Sequence, residues 1–230
     1  MRFFGLLLRG AVYSSIIEER KEKEYVNLIV KEIRKEARKG GTFRIVSHVI
    51  LKDIYGFTHM IDHIIITTTG VFAVTECSIK NIVDVSKSSM TWKYKNGEKE
   101  EEINNPHIIA MKNADEVNGF LNNFYDIHPI VVFLRNNLKE KENPPIINLA
   151  SLSEYITTYR NEHPISRDNI LSIYKMFLSY IKRQPSLKEH LDNMKRYYST
   201  FKEGRCPYCN ASINKEDEHY RCSSCSKLIF

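Results

Sequence analysis

The 230-residue sequence lacks internal repeats and low-complexity tracts, and it holds only seven prolines and nine glycines. That excludes repeat arrays and collagen-like chains and leaves an ordinary folded protein. The apolar stretch at residues 3–17 is interrupted by Arg9 and followed by a charged run from Glu18. A membrane span needs about 20 apolar residues. No small-residue cleavage site follows the stretch, so neither a span nor a signal peptide is read. An amphipathic first helix packed on the domain is expected, and contact with a membrane surface through residues 3–17 is the lesser alternative.

Cysteine is also scarce. Of five cysteines, four lie in the last quarter as two CxxC pairs and one, Cys77, stands alone. A secreted disulfide framework spreads an even number of cysteines along the chain, so the pattern points to a reducing, cytoplasmic setting and a metal. Cys77 reads as a small buried apolar residue. Strong charge of either sign is missing too. The formal net charge of +6 is compatible with a nucleic-acid partner and equally with a solvated basic surface.

What is present is most definite at the end of the chain. Cys206-Pro-Tyr-Cys209 and Cys222-Ser-Ser-Cys225 are separated by twelve residues. Two such knuckles supply four thiolates for tetrahedral Zn²⁺. The alternative is a redox dithiol, which two pairs at ribbon spacing disfavour. Twenty-eight residues bury too little apolar surface to fold unaided, so metal binding would supply the folding energy of residues 203–230. Lys202, Arg205 and Arg221 beside Tyr197, Tyr198, Tyr208 and Tyr220 offer a surface for stacking and phosphate contact. The alternative is that these aromatics pack the knuckles.

Upstream, apolar residues at helical spacing predict a helix over 16–39, stopped by Gly40-Gly41. A strand over 42–52 and a loop over 53–57 follow. Residues 60–79 read as two strands around a Thr68-Thr69-Gly70 loop, with Gly70 taking the positive-φ position. Further strand is expected over 82–94, and a turn at Asn96-Gly97. Asn105-Pro106 opens a helix that buries Ile108, Ile109, Val117, Phe120 and Leu121. A buried strand spans 127–134, and Asn143-Pro144-Pro145 lies in a loop. Beyond residue 150 the pattern is helical. Ser151 with Glu154 and Ser186 with Glu189 fit capping boxes. A helix covers 166–183, and Leu187, Leu191, Met194, Tyr198 and Phe201 stripe the last one. This order predicts an α/β core over 1–150, a helical linker over 151–202 and the zinc ribbon over 203–230.

In the 60–79 hairpin the expected register sets Asp62 directly opposite Glu76. Two carboxylates with Cβ atoms about 4.5–5.5 Å apart repel unless something compensates. Mg²⁺ or Mn²⁺ would do so and could serve phosphodiester hydrolysis. Lys80 lies on the Glu76 face if strand alternation continues, and Glu24 on the first helix could add a ligand. The bland alternative is that Asp62 pairs with a basic residue and Glu76 sits at an exposed strand edge.

The stretch IDHIIITTTGVFAVTECSIKN resembles the core of the NERD (nuclease-related) domain of the PD-(D/E)xK superfamily, over roughly residues 18–134. The preceding helix, Trp92, the Asn105-Pro106 helix start and a four-cysteine zinc ribbon agree in order. The resemblance implies a restriction-endonuclease-like mixed sheet flanked by helices. It implies Asp62 and Glu76 as metal-binding acids, with Glu24 matching the helix acid. The sequence departs from the family's E-x-K at Glu76-Cys77-Ser78, so Lys80 would have to stand in for the lysine. Ile109 replaces a polar residue after Asn-Pro. The expected function is Mg²⁺-dependent cleavage of nucleic acid, DNA before RNA. The alternative is a non-catalytic nucleic-acid-binding or adaptor module on the same fold.

Overall fold

A computed structural model describes residues 16–37, 42–83, 85–135, 145–161, 163–213, 222–227 and 229. The apolar stretch at 3–17 therefore lies almost wholly outside the described residues, as do Gly40-Gly41, Tyr220 and Arg221. No described helix is long and apolar enough to cross a membrane.

The chain runs α1 (Ile16–Ala37), β1 (Phe43–Lys52), β2 (Thr58–Thr67), β3 (Gly70–Cys77), β4 (Thr91–Asn96), β5 (Lys99–Asn104), α2 (Pro106–Phe120), β6 (Ile127–Phe133) and β7 (Ile146–Asn148). A 3₁₀ turn then leads to α3 (Leu152–Thr158), α4 (Arg167–Ile181) and α5 (Leu187–Lys202). Five strands form a mixed sheet ordered β1-β2-β3-β6-β7. The first three pair antiparallel; β6 joins β3 in parallel, and β7 joins β6 in parallel.

Central β3 is buried along almost its whole length, which requires helices on both faces. On one face Ile64, Ile66, Val71 and Ala73 pack with Val117 and Leu121 beside α2 and with Ile170, Ile173 and Phe177 of α4. On the other, Ile65, Phe72, Val74, Ile130 and Val132 pack with Ile29 and Ile33 of α1 and with Leu152 and Ile156 of α3. Each fully buried side chain of this size contributes roughly 1.5–3 kcal/mol. The β4–β5 hairpin caps one end of the sheet, stacking Trp92 on Phe133. Cys77 sits in that same cluster, and burial pushes its thiol up to about 11. It is the small apolar residue expected.

Several expectations are corrected. The β2–β3 loop has two residues, because Thr67 pairs with Gly70. Gly70 is part of the strand: a Cβ there would stand 3.0 Å from His128 Cδ2 of β6. Asp62 and Glu76 are consequently one step out of direct opposition. The acidic β5 lies beyond the strand expected over 82–94, of which, among the described residues ahead of β4, Ile82 bridges to Tyr94. Ile109 is exposed. Asn105 does cap α2, accepting from His107 N–H at 2.9 Å. Ser151 makes no side-chain cap, whereas Ser186 and Glu189 form the full capping box. The buried face of α5 carries His190 and Tyr197, while Leu187 is exposed.

Candidate functional site

Strict alternation would place residues 46, 48 and 50 on one face of β1. Instead Val46, Val49 and Leu51 share one core, and so do Ile61, Ile64 and Ile66 on the paired strand. Each strand therefore skips a residue at the same level. The register on either side, Ser47 with His63 and Val49 with Ile61, sets His48 across from Asp62. His48 takes φ 54°, the left-handed region, which is uncommon for a residue with a side chain. This paired irregularity turns Asp62 out of the alternating pattern and toward the His63 side of the sheet.

There the Asp62 carboxylate reaches the backbone of Glu76. The backbone N–H of Glu76 donates to Asp62 Oδ2 at 2.8 Å. Glu76 Oε1 lies 2.7 Å from His63 Nε2, and His63 Nδ1 lies 2.8 Å from Ser47 Oγ. His63 is fully buried. Nδ1 thus faces the Ser47 hydroxyl and Nε2 the Glu76 carboxylate, so a proton on Nε2 is donated to that carboxylate. Glu76 is thereby fixed by one oxygen. Both acids are half-buried, at the point where the β2–β3 ladder has ended beyond His63 and Val74.

Lys80 and Glu24 are placed differently. β3 ends at Cys77, so alternation does not extend to Lys80, which is exposed in a bend. Among the described residues no hydrogen bond or ion pair joins Lys80 to either acid. Glu24 is exposed on α1.

The four tail cysteines do converge. Their Sγ atoms all lie within 4.8 Å of one another. Cys206 and Cys225 are 3.8 Å apart, and Cys209 and Cys222 3.7 Å. A tetrahedral Zn²⁺ with Zn–S bonds of about 2.3 Å requires sulfurs about 3.8 Å apart. The knuckles are built alike. Cys206 N–H bonds Ala211 O and Asn210 N–H returns to Cys206 O; Cys222 with Lys227 and Ser226 repeats both bonds. Asn210 and Ser226 both take φ near 60°. Four sulfurs this close cannot all ionise without a cation between them, so the cluster could form a zinc site.

A second group was missed from the sequence. Asp53, His59 and Glu116 each offer a ligand atom within the same 4.8 Å limit, with His59 Nε2 3.3 Å from Asp53 Oδ2 and 3.7 Å from Glu116 Oε1. The three could hold a metal ion. Cations already face them. Lys227 Nζ is 3.7 Å from Glu116. Lys112 is influenced by Glu116 and Asp53, although burial is the larger effect and pulls its ammonium down to about 8. Spread over β1–β2, α2 and the tail, these residues have no linear spacing by which a sequence would reveal them.

This group underlies the docked tail. Phe57, Tyr197, Tyr208, Cys206, Cys222 and Ile229 form one core. Asn193 accepts from Thr58 N–H and donates to Gly56 O. Tyr197 and Tyr208 are buried there, so they pack the ribbon against the sheet and are not open for stacking.

A family model described as the nuclease-related domain, NERD, matches residues 20–134, half of the chain. The match includes Asp62 and Glu76 and stops short of the four tail cysteines. A search of curated proteins and a search of solved structures find no match.

Proposed function

The chain belongs to the NERD family, and from that premise we propose that it is a metal-dependent nuclease with a zinc-ribbon tail. The nuclease-related domain suggests nucleic-acid processing; DNA is the favoured substrate and RNA the second. One observation carries the reading: Glu76 N–H on Asp62 Oδ2 at 2.8 Å, with Glu76 held by His63. Asp62 and Glu76 would hold Mg²⁺ or Mn²⁺, which supplies Lewis-acid stabilisation of charge on the phosphate. His63, braced by Ser47, orients Glu76. Glu24 is a candidate further ligand and Lys80 a candidate water-orienting group. Cys206, Cys209, Cys222 and Cys225 would hold structural Zn²⁺. Functionally, residues 1–150 are the nuclease core, 151–202 its helical support and 203–230 the ribbon.

The competing reading is a catalytically silent nucleic-acid-binding module. Ser78 at the expected lysine position favours it. Plasmid and single-stranded DNA, incubated with the protein and Mg²⁺ or Mn²⁺ or chelator, separate the two. Metal-dependent cutting lost in Asp62→Ala and Glu76→Ala supports the nuclease. Cutting that survives in both sinks the assignment, and salt-sensitive binding without cutting favours the silent module.

A further inference from the structure

Resting on that reading of the site, we infer that His48 is the catalytic base that takes the proton from the attacking water, the role that the absent E-x-K lysine leaves unfilled. The position two residues beyond Glu76 carries only the hydroxyl of exposed Ser78, and Lys80 lies past the end of β3. His63 cannot serve, because it is fully buried with both ring nitrogens engaged. His48 meets each requirement that these residues fail.

It lies level with Asp62, between the Ser47–His63 and Val49–Ile61 pairs of the β1–β2 ladder. Its ring centroid is 6.1 Å from that of His63, which places it on the same side as the Glu76 partner. It is half-buried, so the ring stays open to solvent beside His63, the partner of Glu76. Among the described residues neither ring nitrogen has a hydrogen-bond or ion-pair partner. The left-handed backbone at φ 54° is strained for a residue with a side chain. That strain is localised at the position level with Asp62.

The step balances simply. The water oxygen bonds to phosphorus, and the bond from phosphorus to the leaving sugar oxygen breaks. The water's proton passes to a His48 ring nitrogen, and the leaving oxygen takes a proton from solvent. The imidazolium then returns its proton to the hydroxide so formed.

His48→Asn is the test variant, because asparagine tolerates the left-handed backbone and keeps the fold. Plasmid cleavage by His48→Asn should fall by about 100–10,000-fold, while Mn²⁺ affinity measured by calorimetry stays within about threefold of the parent. The loss should exceed that in Lys80→Met. Independently of activity, Mn²⁺ added to the parent protein should broaden the ring resonances of His48 and His63 before that of His163. A His48→Asn rate within about threefold of the parent, while Asp62→Ala is inactive, overturns this inference alone. So does broadening that reaches His63 and spares His48. A parent protein that cuts no substrate overturns the nuclease reading and this inference with it.

Discussion

Lys112 Nζ of α2 stands 3.9 Å from the centroid of the Tyr197 ring of α5. The contact joins the nuclease-related core to the last helix, and the same ammonium lies within 5.7 Å of the Tyr208 centroid in the first cysteine knuckle. Lys112→Met should cost about 1–3 kcal/mol, since it leaves Asp53 and Glu116 short of a cation. Combining it with Glu116→Gln should cost less than the two changes taken separately. Urea midpoints of the four proteins measure the cycle, and strict additivity would show that the charges are not coupled.

The His63–Glu76 hydrogen bond carries a similar cycle. His63→Ala removes a buried donor to a carboxylate and should cost about 1.5–3 kcal/mol. Metal affinity should also fall, by about 10–100-fold, because an unheld Glu76 loses its orientation. Calorimetric Mn²⁺ titration of the folded variant is the measurement. Unchanged affinity would mean that Glu76 is not a ligand.

His190 gives a pH signature. Burial beside Thr58, with His59 nearby, lowers its folded value to about 4. An unfolded histidine titrates near 6.5. Between those values the unfolded chain binds the extra proton, so stability is full above pH 6.5 and declines as the pH falls toward 4. The decline from this group should be of order 2 kcal/mol, allowing for solvent screening. His190→Gln should flatten that part of the stability profile. A profile of unaltered slope would refute the assignment.

Removal of the tail metal should unsettle the core locally. With a strong chelator, the near-ultraviolet dichroism of the Tyr197–Tyr208 cluster should diminish. Amide exchange at Phe57 and Thr58 should accelerate, while that of Val71–Val74 stays slow. Equal protection at Phe57 with and without metal would show that the ribbon folds without it.

Gly70→Ala should destabilise by about 1–3 kcal/mol, since its Cβ would lie 3.0–3.1 Å from the His128 ring. The cost should shrink in a His128→Ala background. Thermal melts of both pairs decide it.

The readable parts of this chain were those with short-range causes. The Asn105 cap, the Ser186–Glu189 box, the β-branched and apolar runs of β1–β3 and the paired cysteines depend on residues a few positions apart. Gly70 does take a positive φ, 153°, but it pairs with Thr67 as the first residue of β3, so the turn is one residue shorter than expected. The same error shifted the expected register by one. The skip at His48 and Asp62 nevertheless turns the acid toward Glu76, whose backbone N–H it accepts. β5 was hidden because Glu100, Glu101 and Glu102 give it no apolar alternation, and its pairing with β4 supplies what the pattern lacks. The Asp53–His59–Glu116 group comes together only through tertiary packing.

The mixed pairing of the sheet also sets an order of assembly. β1, β2 and β3 are successive antiparallel neighbours, so their ladders close over short stretches of chain. β6 reaches β3 only after the β4–β5 hairpin and α2 have been bridged, and pairing Thr75 with Val131 carries the larger loop entropy. Asp62, His63 and Ser47 thus lie within the fast-forming meander. Glu76, beyond the end of the β2–β3 ladder, gains its strand pairing when Val132 arrives beside it. Maturation of the carboxylate pair should therefore follow the slow parallel closure, and a refolding chain would acquire its metal affinity later than its first sheet structure.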